Sequence, residues 1–153
     1  MLKTPYFQRK YKEKYSFPLV IQTFLVYPQR ILSKQILQHV PQIKAALGIV
    51  GVQTNVCSWF SRGTEERRGA QIDLVMQRAD GLTDLCEMKH STNVFTIDRD
   101  YATNLQNKIE AYQELSKDKR TLHLVMVTMN GVVHNNYYNI IQNEVTMDDL
   151  FAR

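Results

Sequence analysis

Cysteine is scarce in this chain. Cys57 and Cys86 are the only two in 153 residues, and both fall in stretches that read as strands, so neither a disulfide framework nor a cysteine zinc set is expected. A reduced, intracellular protein follows, with the cytoplasm as its default compartment. Long hydrophobic runs are also missing. The most apolar segment, FPLVIQTFLV at 17–26, is too short to span a bilayer and is followed by no small-residue cleavage pattern. There is no internal repeat, no low-complexity segment, and no GxxxxGK loop, GxSxG elbow or HExxH helix. ATP hydrolysis, esterase chemistry and zinc proteolysis therefore have no motif to rest on.

What is present suits one domain with its own core, since 44% of the residues are apolar. Charge is uneven. Residues 1–45 hold eight Lys or Arg against Glu13 alone, and the remainder holds eleven against fourteen acids. A basic segment over 1–28, partly disordered or a remnant of an upstream domain, is expected to precede a domain over 29–153. Such a head can meet nucleic acid or an acidic partner, although charge of this kind describes steering and solubility before function.

Along the domain, Ile36, Val40, Ile43 and Leu47 form an incomplete helical stripe that Pro41 interrupts. A helix over about 29–40 and a second one, with Pro41 in its first turn and its end near Gly48, fit that pattern. His39 at their junction reads as a packing or capping residue. IVGVQTNVCSWF at 49–60 reads as a strand with an irregularity at Gly51, and Trp59 and Phe60 are expected to cover an edge of the core. Residues 61–69 read as a solvated hairpin loop, with Arg62, Arg67 and Arg68 offset by Glu65 and Glu66. Asp98 is placed to cap a helix to about Lys117, whose Tyr101, Leu105, Ile109, Tyr112 and Leu115 make an apolar face with Gln106, Lys108 and Gln113 on its flanks. LHLVMVT at 122–128 reads as a central strand covered on both faces. A short capped helix starts near Thr146, with Asp148 and Asp149 in its first turn. The order of elements predicts an α/β (α+β) fold, a mixed sheet flanked by helices.

Within that order, GAQIDLVMQRADGLTDLCEMKH at 69–90 is the informative stretch. Two apolar runs around Ala79, Asp80 and Gly81 predict a hairpin. Pairing Arg78 with Leu82 sets Asp73 opposite Glu87. Alternation then puts Lys89 on the same face and sends Cys86 and Met88 to the other. Mg²⁺ takes oxygen ligands, often one or two carboxylates with waters and a phosphate. Asp73 and Glu87 can supply the carboxylates, the Met88 carbonyl a third oxygen if the strand frays there, and Lys89 a charge for the attacking water or the phosphoryl oxygens. These parts suit phosphodiester hydrolysis. The alternative is a cross-strand charge cluster worth a few tenths to about 1 kcal/mol. Against it, both acids interrupt apolar strands, where unpaired charge is costly.

The triad Asp73, Glu87 and Lys89 resembles that of the PD-(D/E)XK, or restriction-endonuclease-like, nuclease superfamily, in which an acid on one strand precedes an (D/E)xK tripeptide on the next. Over residues 30–153 the wording is similar to the module that follows the ATPase domain in a group of prokaryotic AAA+ ATPases. The similar pieces are HVPQIKAALGIVGV at 39–52, SWF at 58–60, GAQIDLV at 69–75, LCEMKHS at 85–91, the helix with Tyr101, Leu105 and Lys108, and VTMDDLF at 145–151. The resemblance implies a restriction-endonuclease-like core and a Mg²⁺- or Mn²⁺-dependent deoxyribonuclease, with DNA as partner, an ATPase domain or protein supplied separately, and a dimer as one oligomeric option. It also exposes departures. Members commonly carry an acid on the first helix, where this chain has Leu32 and Ser33, and Ile72 stands where the superfamily name has proline. The missing acid raises the alternative of a catalytically weakened or inactive module that binds DNA or a protein. A structural fragment dependent on a missing ATPase domain is the third possibility.

Overall fold

The computed structural model describes residues 37–152. The basic segment, the 17–26 run, residues 29–36 of the expected first helix, and Leu32 and Ser33 lie outside the described residues. A 3₁₀ turn at Leu37–His39 leads into helix α1 (Val40–Ala46), with Pro41 in its first turn as expected. The strands are β1 (Thr54–Ser61), β2 (Ala70–Arg78), β3 (Leu82–Lys89), β4 (Thr121–Thr128) and β5 (Asn143–Thr146). Helix α2 (Arg99–Ser116) joins β3 to β4, and α3 (Met147–Leu150) follows β5.

The five strands form one mixed sheet in the order β1-β2-β3-β4-β5. β1, β2 and β3 are antiparallel neighbours, whereas β3, β4 and β5 run parallel. Local chemistry explains both modes. The β2–β3 turn is three residues long with Gly81 at φ +91°, a backbone that glycine adopts without strain. Parallel pairing of β3 with β4 needs a long crossover, and α2 supplies it. Period-2 alternation divides the core into two layers. Leu74, Met76, Cys86, Met88, Val125 and Val127 pack under α1 and α3. Val75, Leu85, Leu124 and Met126 pack under Leu105 and Tyr112 of α2. β4 is apolar over 124–127, where both its faces are covered.

Several expectations change. Residues 49–53 are not strand: Ile49 N–H donates to Lys44 O, Val52 N–H to Ile49 O, and Lys44 Nζ to Val52 O at 2.6 Å, so the chain turns there and β1 begins only at Thr54. Trp59 does pack, edge-on to Tyr112, but Phe60 is 67% exposed because alternation turns it away from the core. Leu115 is half-exposed at the end of α2. The short β5 has no sequence signature of its own and was not anticipated. Among the described residues no helix is long and apolar enough to cross a membrane, and Cys57 and Cys86 are free thiols.

Candidate functional site

The irregularity expected at Gly51 lies instead at Asp73. Between the pairs Cys57 with Val75 and Trp59 with Ile72 the register slips, so that Asp73 and Leu74 on β2 face Ser58 alone on β1. Two residues against one is a β-bulge, which bends the strand and re-aims a side chain. The β2–β3 register is the expected one, from Gln77 opposite Thr83 to Leu74 opposite Cys86. It stops one pair short of Asp73 and Glu87. There the Asp73 carboxylate replaces the backbone partner, and Met88 N–H donates to Asp73 Oδ2 at 3.0 Å. In an extended strand a residue's carbonyl leaves on the same edge as its N–H, so the Met88 carbonyl faces the opening that the bulge makes. β3 thus separates from β2 here while β4 still holds it through Lys89.

Glu87 is 2% exposed. Its Oε2 accepts from Lys108 Nζ at 2.6 Å, while its Oε1 is buried with no hydrogen-bond partner among the described residues. Burial pushes the Glu87 carboxyl up to about 7; the Lys108 charge opposes this and the Asp73 charge adds to it. Burial raises Asp73 as well, against the Met88 hydrogen bond and the charges of Lys108 and Lys89. Both acids are therefore held where ionisation is costly, the condition under which a carboxylate gains most from a nearby cation.

Asp73, Glu87, Lys89, Lys108 and Gln71 line one cleft of about 90 Å³. The sequence brought the first three together correctly. Met88 joins through its backbone, its side chain being buried in the opposite layer. Lys89 does not touch a carboxylate: among the described residues it makes no ion pair, and its Nζ lies 4.7 Å from the centre of the Tyr101 ring. Lys108 was expected on the flank of α2, yet it points into the site. It stands three residues after Leu105 and seven after Tyr101, so the helical period puts it at the border of the buried stripe, while its long stem leaves the direction of its ammonium open in the sequence. Gln71 carried no signal.

Other charged groups stay outside the cleft. Asp84 is buried but satisfied by Arg78 at 3.2 Å at the turn end of the hairpin. Asp149 closes a capping box with Thr146, the helix-end role expected of the acidic pair. In the 62–69 loop, Arg67 pairs with Glu114 of α2. Among the described residues no group of three or more His, Cys, Asp or Glu is arranged to hold a metal ion; the cleft is lined by two carboxylates, with the Met88 backbone bonded to one of them. That all-oxygen set, with one buried oxygen unsatisfied, fits a hard cation that keeps waters or takes phosphate oxygens.

No family model matches the chain, and no curated protein matches it. Among solved structures it is similar to a crystal structure of AF1548, a protein of unknown function, at 16% identity and a TM-score of 0.45; the match covers 74% of this chain. The chain spans 56% of the length of that structure.

Proposed function

We propose that this chain is a restriction-endonuclease-like domain that hydrolyses DNA phosphodiesters with Mg²⁺ or Mn²⁺. The observation that carries the reading is the buried Glu87, with one oxygen on Lys108 and the other unsatisfied, facing Asp73 at a bulge in the same cleft as Lys89. With both acids ionised, two carboxylates and two ammonium groups balance in the cleft, so a phosphate needs a further cation beside the acids. Asp73, Glu87 Oε1 and the Met88 carbonyl would hold that ion. When bound, it would polarise a phosphoryl oxygen and make water acidic enough to act as a nucleophile near neutral pH. The protein's own part is electrostatic. The bulge fixes Asp73 toward β3, the Met88 N–H and Lys108 oppose the effect of burial on the two acids, and Lys89 offers its ammonium to the phosphoryl oxygens as their charge grows.

Calorimetry with Mn²⁺ alongside cleavage of varied DNA substrates tests this. Native protein should take up the ion and cut; Asp73→Asn and Glu87→Gln should lose uptake, and Lys89→Ala should keep uptake but lose cleavage. Cleavage that survives unchanged in all three variants would defeat the reading. The second reading, a weakened module that binds DNA or a protein, draws on the Lys108 to Glu87 pair, which occupies half of one carboxylate. It expects salt-dependent DNA binding with no uptake of metal.

A further inference from the structure

Lys89 and Lys108 line the same cleft but are held differently. Lys108 is bonded to Glu87 Oε2, whereas Lys89, on the same face two residues from Glu87, lies over the Tyr101 ring. An ammonium this close to two carboxylates is drawn toward them, and the positive charge of Lys89 is felt at both Asp73 and Glu87. The ring face offers a competing attraction of the cation–π kind.

Tyr101 is fixed at its backbone and at its ring. The Asp98 side chain caps α2 by accepting from Tyr101 N–H at 2.8 Å, which sets Tyr101 in the first turn. Phe95 meets the ring edge-on, with centroids 5.3 Å apart and planes at 81°. The Tyr101 hydroxyl is buried and bonds to nothing among the described residues, so no hydrogen bond explains why an aromatic side chain occupies this place. Its working surface is the ring.

We propose that Tyr101 is a positioning residue for Lys89: its ring holds the ammonium at the mouth of the cleft, off the carboxylates that Lys108 already serves, and leaves that charge available to a phosphate oxygen. The two lysines then divide the work. Lys108 balances Glu87 in the resting protein, and Lys89 is kept for the substrate. This use of the charge rests on the function proposed above; the placement of Lys89 does not.

The test uses the full chain and two variants, Tyr101→Phe, which keeps the ring, and Tyr101→Leu, which removes it. The first readout is NMR of the lysine ε-methylene protons, with the Lys89 signal assigned by its loss in Lys89→Arg. A methylene beneath a ring face is shifted upfield. The native protein and Tyr101→Phe should show the shift, and Tyr101→Leu should return the signal to the position of a free lysine. The second readout is cleavage of DNA with Mn²⁺. Tyr101→Leu should lower kcat on the order of tenfold with Mn²⁺ affinity unchanged, while Tyr101→Phe stays near native. A native Lys89 signal at the free-lysine position overturns the proposal whatever the activity. So does a Tyr101→Phe defect as large as that of Tyr101→Leu, which would assign the work to the hydroxyl. If the native protein shows the upfield shift but cuts no DNA, the function proposed above fails and the placement of Lys89 by Tyr101 stands.

Discussion

Glu87 is the residue on which stability and chemistry meet. In the unfolded chain it titrates near 4.5, and in the fold near 7. Below 4.5 both states hold the proton and no cost arises. Between the two values the folded state keeps a proton that the unfolded state has released, so stability falls as pH rises; above 7 the full cost remains. The shift corresponds to a loss on the order of 3 kcal/mol across that window. Urea melts of the metal-free protein from pH 5 to pH 8 should show the decline, and Glu87→Gln should flatten it; an unchanged slope would remove Glu87 as its source. Lys108→Met should destabilise at pH 8 by roughly 2–4 kcal/mol, since it leaves a buried charge alone, and by less at pH 5.5, where Glu87 is protonated. An equal loss at both values would mean that the lysine acts through packing. At this scale Asp73, Glu87 and Lys89 were legible because alternation in a strand is strict. Lys108 was less so, since a long flexible side chain at the border of a helical stripe can turn either way until its partner is known.

At the scale of elements, local signals did well wherever a side chain satisfies its own backbone. Asp98 begins α2 and Thr146 begins α3, both as read from the sequence. Asp98→Ala should cost about 1 kcal/mol in chemical denaturation. It should also loosen the first turn that carries Tyr101, so the Lys89 ε-methylene signal should move toward that of free lysine. Retention of the native shift would show that Phe95 alone fixes the ring. The bulge at Asp73 was not legible. It arises from two ladders with different registers meeting on one strand, and neither is written in β2 itself. For the same reason the four residues of β5 passed unnoticed: Asn143–Thr146 become a strand because β4 offers them an edge.

For the whole molecule, the sheet is buried on two sides at β3 and β4 and thins toward β1 and β5. Amide exchange should be slowest at Leu85, Cys86, Val125 and Met126, at the centre of both layers, and, among the described strands, fastest within β1, which stands at the end of their order and has mostly exposed side chains. Protection in β1 equal to that in β4 would imply that something covers this strand. Leu105→Ala, on the α2 face, should destabilise by about 2–5 kcal/mol. The sequence by itself determined the hairpin, its two acids and lysine, the caps of α2 and α3, and the two-sided burial of β4. Each of these follows from periodicity or from hydrogen bonds a few residues apart. Only the tertiary structure decided that the β2–β3 ladder stops at Leu74 and Cys86, that Lys108 lies on Glu87, and that Lys89 rests on Tyr101. Those contacts join residues distant in the chain, and they form because a bulge opens the sheet just where a capped helix crosses it.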